Sequence, residues 1–255
     1  MAEYYIRSSD GSSSDNGSTW ALAKASMGSG TGGATASDLA GDTFYLSSSH
    51  AESNATGVTI AFAGTPANPS KCLSVSDAGS PEPPTTVTAG ASVTTTGGNS
   101  LIITGCAYLN GVTFSAGTGG NAVTLALAGT GSSFTPEFQK YDNCTIRMMV
   151  TVTESTPQYL IFGSNGAYSD KYLEFINCKF KLGGSGCFIR VFGTALIDGG
   201  RFESGSATPN GGLFTGGTTG NGSNGNLTVR NFDFSALGSS LVLVNSATYE
   251  STMTF

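Results

Sequence analysis

Five segments in the second half of the chain share one pattern of apolar and polar positions: CAYLNGVTF, QKYDNCTIR, LEFINCKFK, ALIDGGRFE and LTVRNFDFS. They align on a central Asn or Gly: Asn110, Asn143, Asn177, Gly199 and Asn231. Two positions before this anchor stand Tyr108, Tyr141, Phe175, Ile197 and Val229, and four before it Cys106, Gln139, Leu173, Ala195 and Leu227. Apolar residues at every second position are the mark of a strand, with Gln139 as the exception. Three positions after the anchor come Thr113, Ile146, Phe180, Phe202 and Phe234, so a second strand leaves each anchor. The columns Tyr108, Tyr141, Phe175, Ile197, Val229 and Ile146, Phe180, Phe202, Phe234 are therefore predicted to face a core, and the anchors to form a ladder of turns.

The anchors are 33, 34, 22 and 32 residues apart, which suits a coil whose loops vary in length better than a rigid short-repeat solenoid. Each interval has room for three short strands. TIRMMVTV, QYLIFGS and KYLEFIN follow Asn143; KFKL, CFIRVFG and ALID follow Asn177. Strand and turn in threes predict the rungs of a right-handed, single-stranded parallel β-helix, an all-β fold. Rungs stack about 4.8 Å apart, so equivalent residues lie over one another; Asn and Gly suit the anchor because they tolerate the left-handed conformation.

In the first half, residues 41–48, 57–64, 69–76 and 84–104 supply strand candidates punctuated by Gly and Pro. Between them and the amino terminus, TWALAKASMGSGTGGATASDLA starts with an N-cap in Ser18 or Thr19 and is soon broken by glycines. A short helix over the open end of the coil is expected there, with Trp20 as a capping residue. The division is 1–40 for an amino-terminal strand, loop and capping helix, and 41–255 for the β-helix.

Composition narrows the function classes. The 37 Gly with the Ser and Thr make up about 40% of the 255 residues, and charged residues only 11%, which excludes coiled coils and helical bundles. With 11 Lys+Arg against 17 Asp+Glu and a net charge of -6, no nucleic-acid partner is expected. No run of about 20 apolar residues suggests a membrane span, and MAEYYIRSSD does not read as a secretion signal, so synthesis in a cytoplasm is expected. Cys72, Cys106, Cys144, Cys178 and Cys187 are odd in number and lack a C-x-x-C pair, which predicts buried reduced thiols.

Candidates for chemistry are few. Glu174, Asp198 and Glu203 could supply a carboxylate pair of the glycosidase kind, with Arg190 and Arg201 nearby, yet solvated charge on an outer sheet is the better reading. Asp10, Asp15 and Asn16 have the composition of a cation loop and equally of a tight turn, which is preferred. His50 is the sole histidine and is expected in a loop. Tyr168, Tyr172 and Phe192 offer an aromatic docking strip or, more simply, gap filling. GGTTGNGSNGN, 216–226, reads as a long turn. No cofactor, metal ion or catalytic residue is expected.

The segment YYIRSSDGSSSDNGSTWALAKA, followed by GDTFYL, resembles the opening of right-handed β-helices of the pectate-lyase-like class. The match covers residues 4–46. Many proteins with this opening look like bacteriophage virion components, including tail spikes, fibres and head-decorating proteins. The resemblance implies a structural virion protein made in the host cytoplasm. Its expected partners are copies of itself, as a homotrimer, with coat or tail proteins, and a host surface glycan as a further candidate. The alternative is a tail-spike polysaccharide depolymerase or a glycan-binding adhesin. ATYESTMTF alternates like a strand without a cap, which adds to the expectation of an oligomer.

Overall fold

A computed structural model describes residues 1–28, 33–77, 81–119, 123–129, 136–153, 155, 157–163, 171–216, 225–245 and 252–255. Strand β1 (Glu3–Ile6) comes first, and a rung of β2 (Thr43–Ser47), β3 (Ala51–Asn54) and β4 (Val58–Ala61) follows. The next rungs are β5 (Ser70–Val75), β6 (Ser92–Thr95) and β7 (Leu101–Thr104), then β8 (Ala107–Asn110), β9 (Thr113–Gly119) and β10 (Thr124–Leu127), then β11 (Glu137–Asp142), β12 (Thr145–Val150) and β13 (Gln158–Phe162). Afterwards the first two strands of a rung fuse, giving β14 (Lys171–Leu182) with β15 (Cys187–Val191), and β16 (Thr194–Phe202) with β17 (Phe214–Gly216). The chain closes with β18 (Asn226–Arg230), β19 (Val244–Asn245) and β20 (Thr252–Thr254).

Like strands of successive rungs pair in parallel and form three faces. The first runs β1-β2-β5-β8-β11-β14-β16-β18-β20, the second β3-β6-β9-β12-β14, and the third β4-β7-β10-β13-β15-β17-β19. This is a parallel β-helix. Alternation puts Leu109, Tyr141, Phe175, Ile197 and Val229 inside from the first face and Phe114, Ile146, Phe180 and Phe202 inside from the second. Tyr141 stacks on Phe175 at 5.0 Å and Phe175 meets Phe162 of the third face at 4.6 Å, so the three faces share one core. Phe234 is only partly buried and packs on Phe202 and Phe232 at 6.1 and 4.9 Å.

Two expected positions shift by one residue. Leu109, not Tyr108, is the register partner of Tyr141, and Phe114, not Thr113, that of Ile146. The left-handed corner residue of that rung is Gly111 (φ 73°) and not Asn110, whereas Asn143, Asn177, Gly199 and Asn231 take φ of 50°, 52°, 71° and 54°. In an Asn-Gly pair the glycine adopts a left-handed conformation at lower cost, having no Cβ. Tyr108 therefore points outward, where its hydroxyl donates to Asp142 Oδ2 (3.1 Å) and accepts from Asn110 Nδ2 (2.8 Å).

Gln139, which breaks the apolar alternation, does face inward and is fully buried. Its Oε1 accepts from Ala128 N (2.9 Å) and Tyr141 Oη (2.6 Å), while Nε2 donates to Ile103 O (3.3 Å) and Gly105 O (3.0 Å). An inward polar side chain is tolerated when each of its groups is paired in this way.

The amino-terminal cap is a single 3₁₀ turn, Trp20–Leu22, with a second at Ala34–Ser37. Trp20 does not lie over the open end: it packs edge-on against Tyr5 (5.0 Å) with Tyr45 and Val75, on the outer side of the first face. Met27 and Ala34, both buried in the main core, close that end instead.

Candidate functional site

The candidate carboxylates are spread over two faces, with Glu174 and Asp198 on adjacent strands two residues out of register. Glu174 and Asp198 stand outward on the first face, where Glu174 pairs in register with Leu196 and Asp198 with Ile176 and Arg230. Glu203 follows β16 around the corner on the second face, while Arg190 lies on the third, its guanidinium 3.3 Å from the centre of the Tyr159 ring. Each acid has a cation of its own. Lys140 Nζ lies 3.4 Å from Glu174, Arg230 bonds Asp198 at 2.8 Å, and Arg147 grips Glu203 with two hydrogen bonds of 2.7 and 2.8 Å. The hydrogen bonds from Arg230 and Asn231 hold the Asp198 carboxyl below its usual range, and Arg147 does the same for Glu203. A general acid at neutral pH needs the opposite shift.

The loop of Asp10, Asp15 and Asn16 uses its side chains for turn chemistry. Asp10 pairs with Arg7, and Asn16 Oδ1 accepts from Ser18 N (2.9 Å). Among the described residues no cluster of three or more His, Cys, Asp or Glu could hold a metal ion. His50 does lie in a turn but is fully buried: its Nε2 is 3.4 Å from Glu52, which also accepts from Met27 N (2.8 Å) and Asn54 Nδ2 (3.0 Å). Burial raises the Glu52 carboxyl, and the hydrogen bonds from His50, Met27 and Asn54 outweigh it and bring the carboxyl below its usual range. The pair ties the plug residue Met27 to the first rung.

All five cysteines are free and buried. Desolvation raises every one of these thiols, Cys144 to about 12, so they stay protonated and unreactive at neutral pH. Of the aromatic strip, Tyr172 stacks on Phe138 at 5.7 Å on the outer first face, Phe192 is buried with Ala126 and Ile161, and Tyr168 lies outside the described residues, as do 217–224 of the Gly-rich turn.

Sequence reasoning missed the main concavity. The left-handed residues bend each rung, and the outer sides of the first and second faces meet along this bend in a groove. It holds adjoining hollows of about 520, 440 and 270 Å³ that share Lys179 and, in two cases each, Asn177, Arg201 and Asp233. A signal was available: the position two after the corner residue reads Thr113, Thr145, Lys179, Arg201 and Asp233, an outward column that becomes charged along the axis. A second missed feature is the ion pair of Lys171, buried, with Glu137 at 2.9 Å where the third face passes into the first.

Compared with family models, with curated proteins and with solved structures, the chain matches none. Its class rests on its own topology, a parallel β-helix with a polar corner groove.

Proposed function

We propose that this protein is a non-enzymatic structural component of a bacteriophage particle, a rigid β-helical scaffold on the capsid or in a tail appendage. It works through contacts with copies of itself and with coat or tail proteins. The observation that carries the reading is the pairing of Glu174, Asp198 and Glu203 with Lys140, Arg230 and Arg147, which spends these acids on joining rungs. Arg147 and Glu203 span from β12 to the end of β16, across β14. The virion setting rests on the resemblance of the opening over residues 4–46, within which β1 pairs with β2.

Quantitative mass spectrometry of density-purified particles from the source lysate tests this. Copies in the hundreds per particle are expected for a capsid decoration and a small multiple of three for an appendage. Absence from particles contradicts the reading.

A further inference from the structure

Lys179 and Arg201 occupy facing positions on neighbouring strands of the second face, and Arg147 and Lys181 do the same two residues farther along. Four of the chain's 11 cationic side chains thus crowd onto one small patch of a protein whose net charge is -6. Like charges directly opposite on adjacent strands destabilise a sheet. Arg147 is paired with Glu203, whose charge also acts on Lys181 and Lys179, and Asp233 lies beside Arg201; the side chains of Lys179, Lys181 and Arg201 themselves make no hydrogen bond or salt bridge among the described residues, so four cations share two carboxylates. A cluster of facing cations that outnumbers its local carboxylates is a departure from self-consistency of the kind found at functional sites.

We propose that the corner groove is a docking site for an acidic polypeptide segment of a partner protein, whose carboxylates settle against Lys179 and Arg201. From Gly111 to Asp233 the groove crosses the rungs over roughly 20 Å, the reach of a short extended peptide. Its wall offers the side chains of Asn143 and Asn177, which both donate and accept. Phe202, the one aromatic residue lining it, is buried, so the groove presents no ring face on which a sugar could stack. That favours carboxylates on a polypeptide over those of an acidic glycan. The site names the partner chemistry for the scaffold reading and rests on it only for the partner being a protein.

Fluorescence anisotropy with a labelled peptide of alternating Glu and Thr tests the groove apart from particle composition. The wild type is expected to bind it, with affinity falling as salt rises. Lys179→Gln with Arg201→Gln is expected to weaken binding at least about tenfold without lowering the melting temperature, since it removes a facing repulsion, whereas Lys179→Glu with Arg201→Glu also weakens binding but sets two carboxylates opposite each other beside Asp233 and is expected to lower the melting temperature. Lys71→Glu, which changes the net charge outside the groove by the same two units as the paired Gln substitutions, is expected to leave binding intact. No binding to the wild type, an equal loss with Lys71→Glu, or tighter binding of polygalacturonate than of the peptide would overturn the proposal.

Discussion

Between β2 and β3 the chain passes from the first face to the second through Ser48, Ser49 and a buried His50, and between β5 and β6 it uses all of residues 76–91. From β8 onward a short left-handed turn does the same work, centred on Gly111, Asn143, Asn177, Gly199 or Asn231. The early corners are solved one at a time by local contacts: Ser74 Oγ donates to Thr88 O (2.6 Å) and accepts from Ala91 N (3.1 Å), while Glu52 holds Met27. The later corners repeat one backbone solution, so their inward columns line up and their outer sides make a continuous groove. Repetition of a backbone conformation is what lets the molecule offer an extended surface.

If the later rungs are a shared core, breaking one column has the largest effect. Phe180→Asp places a carboxylate among Phe175, Phe202 and Phe232 and is expected to cost about 3–5 kcal/mol, with Phe175→Ala close behind. Val87→Asp, at a partly exposed site in the long early corner, is expected to cost under about 0.5 kcal/mol. Urea denaturation midpoints compare them. Next comes the buried pair: Glu137→Ala leaves Lys171 without its carboxylate, at about 3 kcal/mol, and adding Lys171→Met is expected to recover much of that loss.

The corner residues give a finer test. Asn177→Ala forces a Cβ-bearing residue without a local side-chain bond into the left-handed region, at about 1–2 kcal/mol, while Asn177→Gly is expected to be nearly neutral. In the Asn110-Gly111 rung the roles are exchanged, so Gly111→Ala is expected to cost more than Asn110→Ala. Thermal melts of the four variants read this directly. The smallest effect belongs to the early region. Burial pushes the Asp38 carboxyl up to about 6, despite the hydrogen bond from Ala63 N. The folded state therefore holds a proton between pH 4 and 6 that the unfolded chain has released, and stability attributable to this group falls as pH rises through that window. Asp38→Asn is expected to stabilise by about 1 kcal/mol at pH 7 and to have no such effect at pH 4.

The same contrast decides what the sequence made legible. Phe175, Phe180 and Phe202 were found because three or more rungs repeat their spacing, and the triplet of strands followed from the intervals between anchors. Asn110 was placed one residue early because Asn and Gly are both suited to the turn, and period-two alternation alone does not choose between Tyr108 and Leu109. Strand β3 escaped because AESN carries no apolar alternation; its inward Glu52 is held by hydrogen bonds. The groove escaped for a different reason. Its residues are mostly polar and individually ordinary, and its hollows are completed by loop residues beside the corner such as Val87, Ala89, Ser204 and Ser235, a property of the assembled molecule.

The claim most open to direct attack is that the candidate acids serve structure. New reducing ends or unsaturated uronates can be followed after incubating host surface polysaccharide with wild-type protein and with the variant combining Glu174→Gln, Asp198→Asn and Glu203→Gln. The account predicts no cleavage by either protein and unchanged assembly of the variant into particles. Cleavage by the wild type that the three substitutions abolish would contradict it.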